Sequence, residues 1–213
     1  QPWNKNKINM TSINKNKYFL LSMIWLFLLT FLTVFKHAPQ WLNADVLINS
    51  VMSLQKLTLF YWGQNRLLNI LPATTALVRN PEVNLALVLL IASFFFYLYL
   101  YFVARFAAFL VNSSKQKFLS LQIFVVTSAF FLIAFNSKAI FEIAIWHIEY
   151  SFPALCLSLS VYLFFLHKKH FIWCFFFSIA LIILAIGVNP SIIIPVVFVF
   201  CAVIFYNRKV KIA

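Results

Sequence analysis

The sequence predicts an all-α fold: a polytopic membrane helical bundle of six transmembrane helices, with interfacial helices in the first outside loop. Of the 213 residues 64% are hydrophobic and 10% are charged, and the mean hydropathy is +0.94. A soluble domain is about half apolar and about one quarter charged, so this chain has too little polar surface for a soluble globule. The whole chain contains only two glycines, which favours helices over a barrel with its frequent turns.

Six apolar runs approach or reach the length of about 20 residues that a helix needs to cross a bilayer. The fourth run is short, but it extends backward through 143–150. The Gly-Val-Asn-Pro-Ser turn at 187–191 predicts that the last two spans form a helical hairpin. The predicted spans are 18–35, 85–103, 118–135, 152–166, 171–188 and 192–206, which follow a basic tail at 1–17 and lie in one transmembrane domain, 18–213.

The basic residues predict the orientation of these spans. If the N-terminus is inside, twelve of the 17 lysines and arginines lie in inside segments and all four acids lie outside. Cytoplasmic loops carry the excess of Lys and Arg, so both termini are predicted to be cytoplasmic. The net charge of +13 then indicates topology and contact with anionic lipids, and nucleic-acid binding is not expected.

The first outside loop, 36–84, carries unusual chemistry. When residues 45–60 are placed on a helix, the polar side chains form a stripe along one face and apolar side chains occupy the opposite face. This pattern predicts a helix lying in the membrane interface. Gly63 then allows a sharp turn, and a second interfacial stretch follows. An acid near the first span and a cluster of hydrogen-bonding groups mark a candidate site, and the alternative is an aromatic belt with snorkelling cations. The candidates are Asp45, Gln64, Asn65 and Arg66.

The second outside loop, 136–151, contains two acids and a histidine. Glu142 and Glu149 are seven residues apart and share a helix face, and Lys138 precedes Glu142 by four residues. His147 lies on another side of the same helix. Ionisable groups at the lip of an apolar bundle are functional candidates. The alternative is a surface ion pair with a solvated histidine.

The segment from Asp45 to Pro72 reads DVLINSVMSLQKLTLFYWGQNRLLNILP. Together with the first span, it resembles the N-terminal part of a bacterial GT-C type membrane glycosyltransferase. The resemblance implies transfer of a sugar from a polyprenyl-phosphate donor to a surface glycan or lipid acceptor, at the outer side of the cytoplasmic (inner) membrane. Such enzymes carry more spans and often a soluble C-terminal domain, so the resemblance also implies a short member or a piece of a longer protein.

The resemblance implies roles for the candidate residues. Asp45 is the general base on the acceptor hydroxyl, and burial at the membrane lip would raise the pKa of its carboxyl toward that role. Arg66 stabilises the phosphate that leaves with the lipid. The remaining candidates are Gln64, Asn65 and His147 for sugar binding and Glu142 as a second acid. No metal site or cofactor is evident from the sequence, and a divalent cation stays open.

A non-enzymatic protein is the competing class: a transporter of lipid-linked sugars or a membrane scaffold subunit. A transporter is expected to place ionisable or helix-breaking residues near the middle of its spans. The six predicted spans have almost none, since Pro153, Pro195 and Arg105 lie near span ends. The unusual residues therefore favour a site on one side of the membrane.

Overall fold

A computed structural model describes residues 5–37, 78, 80–111, 115–134, 148–166, 171–198 and 201 of the chain. These residues form helices and contain no strand. The five long helices are α1 (Lys5–His37), α2 (Pro81–Leu110), α3 (Gln116–Ala134), α4 (Ile148–Leu166) and α5 (Phe171–Val188). A 3₁₀ turn at Pro190–Ile192 follows α5, and 193–198 is again helical.

Ring and hydrogen-bond contacts show that the helices alternate in direction. Phe95 and Phe102 of α2 contact Phe152 and Tyr162 of α4, with ring centroids 5.5 Å and 5.1 Å apart, so these helices are parallel. Tyr18 and Trp25 of α1 contact Phe118 and Ser128 of α3 in the same order, so these two helices are also parallel. Contacts between α2 and α3 and between α4 and α5 run in the opposite sense. This alternation is what a chain that crosses a membrane repeatedly requires.

Helix α2 lies at the centre of the described bundle. It packs against α1 and α3 on one side and against α4 on the other, while α5 packs against α4. Its side chains dominate the core, where Ala92, Tyr97 and Ala104 are fully buried. Leu26 of α1 and Phe124 of α3 join this core from the neighbouring helices.

Polar side chains bond the helices to one another inside the bundle. Trp25 Nε1 of α1 donates to Ser128 Oγ of α3 at 3.0 Å, and Thr33 Oγ1 shares a hydrogen bond of 2.6 Å with the Tyr97 hydroxyl. Between α4 and α5, Ser160 and Ser178 each donate from Oγ to the other's backbone carbonyl, at 3.2 Å and 3.1 Å. Small polar residues at interfaces and hydrogen bonds between helices are typical of helix packing in membranes.

A proline in the first turns of α4 explains a bond to the end of α5. Pro153 has no backbone N–H, so the carbonyl of Glu149 loses its usual donor four residues later. Asn189 Nδ2 donates to that carbonyl at 3.0 Å instead. The other amide atom, Asn189 Oδ1, accepts from the Ser191 backbone N–H and caps the 3₁₀ turn. Asn189 therefore stabilises both the broken end of α4 and the turn after α5.

The outer surface of the bundle is apolar. Phe35, Trp173 and Phe198 are 79%, 77% and 72% exposed, and many other large apolar side chains are exposed too. A soluble monomer rarely exposes contiguous apolar surface on this scale. The acyl chains of a bilayer would cover it, so the described helices are those of a membrane protein.

The prediction of an all-α membrane bundle is confirmed, while six spans are not established. Three helices are long and apolar enough to cross a membrane, and two apolar helices are shorter. The helix of the first span begins at Lys5, inside the predicted basic tail. Most of 199–213 and all of 38–77 lie outside the described residues, and so do the predicted interfacial helices. The candidate spans are Lys17–Phe35, Glu82–Leu110 and Gln116–Ile133, with Glu149–Phe164 and Ile172–Val188 as the shorter helices.

Candidate functional site

A pocket of about 300 Å³ opens at one end of the bundle, where α3 begins and α2 and α4 end, beside residues 18–22 of α1. We call this end the Arg105 end and the opposite one the Asn189 end. The pocket combines two cations, five hydroxyl groups and two phenylalanine rings, and none of the described residues that line it is acidic. It is lined by Tyr18, Phe19, Ser22, Tyr101, Phe102, Arg105, Lys117, Ser120 and Tyr162.

Arg105 is held in this pocket by aromatic side chains. Its Nη2 donates to the Tyr162 hydroxyl at 3.1 Å, and its guanidinium carbon lies 5.5 Å from the centroid of the same ring. Tyr101 lies one helical turn earlier on α2 and interacts electrostatically with the guanidinium. A guanidinium has five N–H donors, and the bond to Tyr162 uses one of them. Arg105 is therefore positioned by the protein while donors remain for a ligand.

Lys117 and two serines complete the polar lining. Lys117 is exposed at the start of α3, and Ser120 lies one turn further on and is 3% exposed. Ser120 makes no hydrogen bond to another described residue, although it lines the pocket. Ser22 is also 3% exposed and donates to the Tyr18 carbonyl at 2.8 Å, which leaves its oxygen able to accept. The pocket thus offers positive charge and hydroxyl donors together, the combination that binds an anion with several oxygens.

The length of α2 gives the depth of the pocket in a membrane. Asn84 is fully buried near the Asn189 end, and its Nδ2 donates to the Val78 carbonyl at 3.0 Å. Arg105 lies about 32 Å from Asn84 along the helix axis. The hydrocarbon core of a bilayer is about 30 Å thick, so a bilayer that meets Asn84 at one surface meets Arg105 at the other. The pocket is then at the level of the lipid headgroups.

A smaller group of buried polar side chains lies where the start of α4 meets the middle of α2, toward the Asn189 end. Ser93 and Ser151 are at most 1% exposed, and their hydroxyls have no hydrogen-bond partner among the described residues. The register of α2 against α4, fixed by the contact of Phe95 with Phe152, brings both serines to a similar level. Glu149 lies two residues before Ser151 in the first turn of α4. This end is the one to which the two predicted outside loops connect.

The structure does not test the site predicted from the sequence. All six candidate residues fall in segments outside the described part of the chain. Two of the acids that the sequence predicts to be outside, Glu82 and Glu149, belong to the described part of the chain and lie at the Asn189 end. The cations Arg105, Lys115 and Lys117 lie at the other end. This separation of charges agrees with the predicted alternation of loops. The six residues outside the description are Asp45, Gln64, Asn65, Arg66, Glu142 and His147.

The Arg105 pocket was missed in the sequence because its cations had another explanation. Arg105 and Lys117 follow the rule for basic residues at cytoplasmic span ends, and nothing in their spacing brings them together. One local signal was available: Tyr101 precedes Arg105 by one helical turn, which places an aromatic hydroxyl and a guanidinium on one face. The contribution of α1, α3 and α4 could not be read from that pair.

Comparison of the chain with protein-family models, with curated protein sequences and with solved structures found no match. The resemblance to GT-C type glycosyltransferases therefore stays a hypothesis drawn from residues 18–84. Within the described residues, no group of three or more His, Cys, Asp or Glu side chains could hold a metal ion. The best-defined chemistry is the cationic, hydroxyl-rich pocket at the Arg105 end.

Proposed function

We propose that this protein is an integral membrane protein that binds the phosphate of an anionic lipid in the Arg105 pocket. The observation that carries the proposal is the pairing of Arg105 and Lys117 around one pocket whose described lining contains no acid. A guanidinium and an ammonium beside hydroxyl donors match the oxygens of a phosphate. The depth of the pocket, one bilayer thickness from Asn84, matches the level at which lipid phosphates lie.

The apolar wall of the pocket fits the rest of a lipid. Phe19 lines the pocket and is 55% exposed on the outer surface of α1. Phe102 also lines the pocket, with its ring centroid 5.1 Å from that of Tyr162. A lipid whose phosphate contacts Arg105 can therefore lay its chain along Phe19 and into the bilayer. A soluble anion would leave that wall uncovered.

Replacing Arg105 with alanine is expected to lower the affinity for an anionic lipid about tenfold or more. A hydrogen bond to a charged group contributes about 1.5–3 kcal/mol, and about 1.4 kcal/mol corresponds to a factor of ten. The measurement is titration of phosphatidylglycerol against phosphatidylcholine into the purified protein, with bound lipid counted by native mass spectrometry. Arg105→Lys keeps the charge without the planar fork, so its affinity for phosphatidylglycerol should lie between those of the unchanged protein and Arg105→Ala.

Lys115→Gln is the matched control for this experiment. Lys115 is a cation at the same end of the bundle, but it does not line the pocket. Its loss should change affinity by less than a factor of about two, since a cation outside the pocket acts on the bound phosphate mainly through a screened field. Equal losses for the Arg105 and Lys115 variants would show diffuse attraction to the surface and would contradict a specific site.

The resemblance supports a second proposed function at the other end of the bundle. On this proposal six spans cross the bacterial inner membrane with both termini cytoplasmic, and the outside loops transfer a sugar from a polyprenyl-phosphate donor. Asp45 acts as the base, with Glu142 as a second acid, and Gln64, Asn65, Arg66 and His147 hold the substrates. The separation of the described acids from the described cations agrees with the orientation. The direct measurement is transfer of labelled sugar by reconstituted membranes, compared with Asp45→Asn.

The orientation on which that proposal depends can be tested separately. A cysteine introduced at Asn80, beside the start of α2, should react with an impermeant thiol reagent in intact cells. One at Gln116, at the start of α3, should react only after the cells are opened. The two positions lie at opposite ends of the described bundle, so each serves as the control for the other. The reverse pattern would remove the outside site.

A further inference from the structure

We infer that the Arg105 pocket is selective for a lipid phosphomonoester, a phosphate carried on a single ester bond, over the phosphodiesters of ordinary membrane lipids. This inference rests on the proposed lipid-binding function and narrows its ligand class. It follows from the number of charges in the pocket, the number of separate donors and the direction in which the apolar wall leads.

The charge of the pocket matches a doubly charged phosphate. Arg105 and Lys117 bring two positive charges, and none of the described residues that line the pocket offsets them. A phosphomonoester carries about 1.5 to 2 negative charges near neutral pH. A phosphodiester carries one negative charge, so it would leave part of this positive charge, which includes the half-buried guanidinium of Arg105, without a counterion. The cost of such an uncompensated charge favours the monoester.

At least three separate donor groups line the pocket and are available to the oxygens of a ligand. The guanidinium of Arg105, the ammonium of Lys117 and the hydroxyl of Ser120 belong to two helices, α2 and α3, and line the same cavity. Ser120 is buried without a hydrogen bond to any described residue, so its hydroxyl is available to a ligand. A phosphomonoester has three oxygens that are not esterified, whereas a phosphodiester has two. The third unesterified oxygen of a phosphomonoester gives these donors one more acceptor than a phosphodiester provides.

The wall of the pocket provides an apolar path for one ester branch of a bound phosphate. Tyr162 and Phe102 close the α4 side of the pocket, with Arg105 against the Tyr162 ring. The exposed Phe19 continues into the apolar surface of α1. One ester branch can therefore follow Phe19 into the bilayer, and a second branch on the phosphorus would take the place of an oxygen that the donors of the pocket could bind.

The experiment compares phosphatidic acid with phosphatidylmethanol, which differs from it by one methyl ester. Phosphatidylcholine and inorganic phosphate complete the set of probes. Each is titrated into the full chain in detergent micelles, and bound ligand is counted by native mass spectrometry. We expect phosphatidic acid to bind about tenfold more tightly than phosphatidylmethanol, a factor equivalent to one charge-assisted hydrogen bond.

Two variants assign that preference to the pocket. Lys117→Gln removes one charge at the exposed rim and should reduce the preference for phosphatidic acid to within about twofold, while Lys115→Gln should preserve it. Ser120→Ala should weaken phosphatidic acid more than phosphatidylmethanol, because it removes the donor for the third oxygen. Both Lys117 and Lys115 are exposed, so neither change is expected to prevent folding.

The possible results distinguish monoester selectivity from the proposed binding of anionic lipids. Equal affinity for the two lipids, with both well above phosphatidylcholine, would overturn the monoester selectivity and leave anionic-lipid binding intact. Anionic lipids no tighter than phosphatidylcholine would overturn both. Inorganic phosphate binding as tightly as phosphatidic acid would show that the apolar wall plays no part, and it would overturn the lipid as the source of the phosphate.

Discussion

Replacing Phe124 with alanine is expected to lower the free energy of unfolding by about 2 kcal/mol or more. The Phe124 side chain is fully buried, and its ring meets that of Tyr101 edge-on with centroids 5.7 Å apart. It fills the space between α3 and the central helix α2. Lipid tails are as apolar as the helices they surround, so the loss comes from packing rather than from exposure to water. A ring-sized void costs about 24 cal/mol for each Å³ that does not collapse.

Phe177→Ala provides the matched control on α5. Phe177 is 56% exposed, and in a membrane its ring faces lipid that can fill the space it leaves. Its loss should change stability by no more than about 0.5 kcal/mol. The measurement is reversible unfolding in mixed micelles, followed by circular dichroism. Similar losses for both variants would contradict the placement of Phe124 in the helix interface.

Asn189→Ala is expected to cost about 1–2 kcal/mol of stability. Pro153 removes the donor that would normally satisfy the Glu149 carbonyl, and Asn189 Nδ2 supplies another at 3.0 Å. Without that amide the carbonyl loses the donor that Asn189 supplies in place of the missing N–H of Pro153. Ser191→Ala removes only the bond from the Ser191 hydroxyl to Asn189 Oδ1 and should cost less.

A second substitution tests the cause of this loss. In a Pro153→Ala background, the new backbone N–H can donate to the Glu149 carbonyl within α4. Asn189→Ala should then cost much less than it does with proline present, which appears as a coupling energy in a double-mutant cycle. An identical loss in both backgrounds would mean that Asn189 acts elsewhere, through the turn that follows α5.

The span boundaries could be read from the sequence where hydropathy and helix breakers coincide. The fifth predicted span, 171–188, has the bounds of α5, because a basic pair precedes it and Asn189-Pro190 follows it. Helix α1 differs: it begins at Lys5, well before the apolar run starts. Hydropathy marks where a helix enters apolar surroundings, whereas backbone hydrogen bonding continues through the preceding polar residues. Apolar content therefore located the helix but not its first turns.

The pocket and the Asn189 bond lay beyond sequence reasoning for a different reason. Arg105, Lys117 and Tyr162 come from three helices, and only the relative rotation and register of those helices bring them together. The sequence showed Pro153 only as a helix breaker near the end of a span. It could not show that the donor would come from a residue after α5. The chemistry of each side chain can be read from the sequence, but the residues that it contacts in this bundle belong to other parts of the chain.

The order in which the helices contact one another has a consequence for biosynthesis. Helix α2 packs against α1, α3 packs against both of them, α4 packs against α2, and α5 packs against α4. Each of the helices α2 to α5 thus meets a principal neighbour that the ribosome has already made. The described bundle can assemble in the order of translation, and after α1 each described helix that leaves the insertion machinery finds an earlier helix on which to pack.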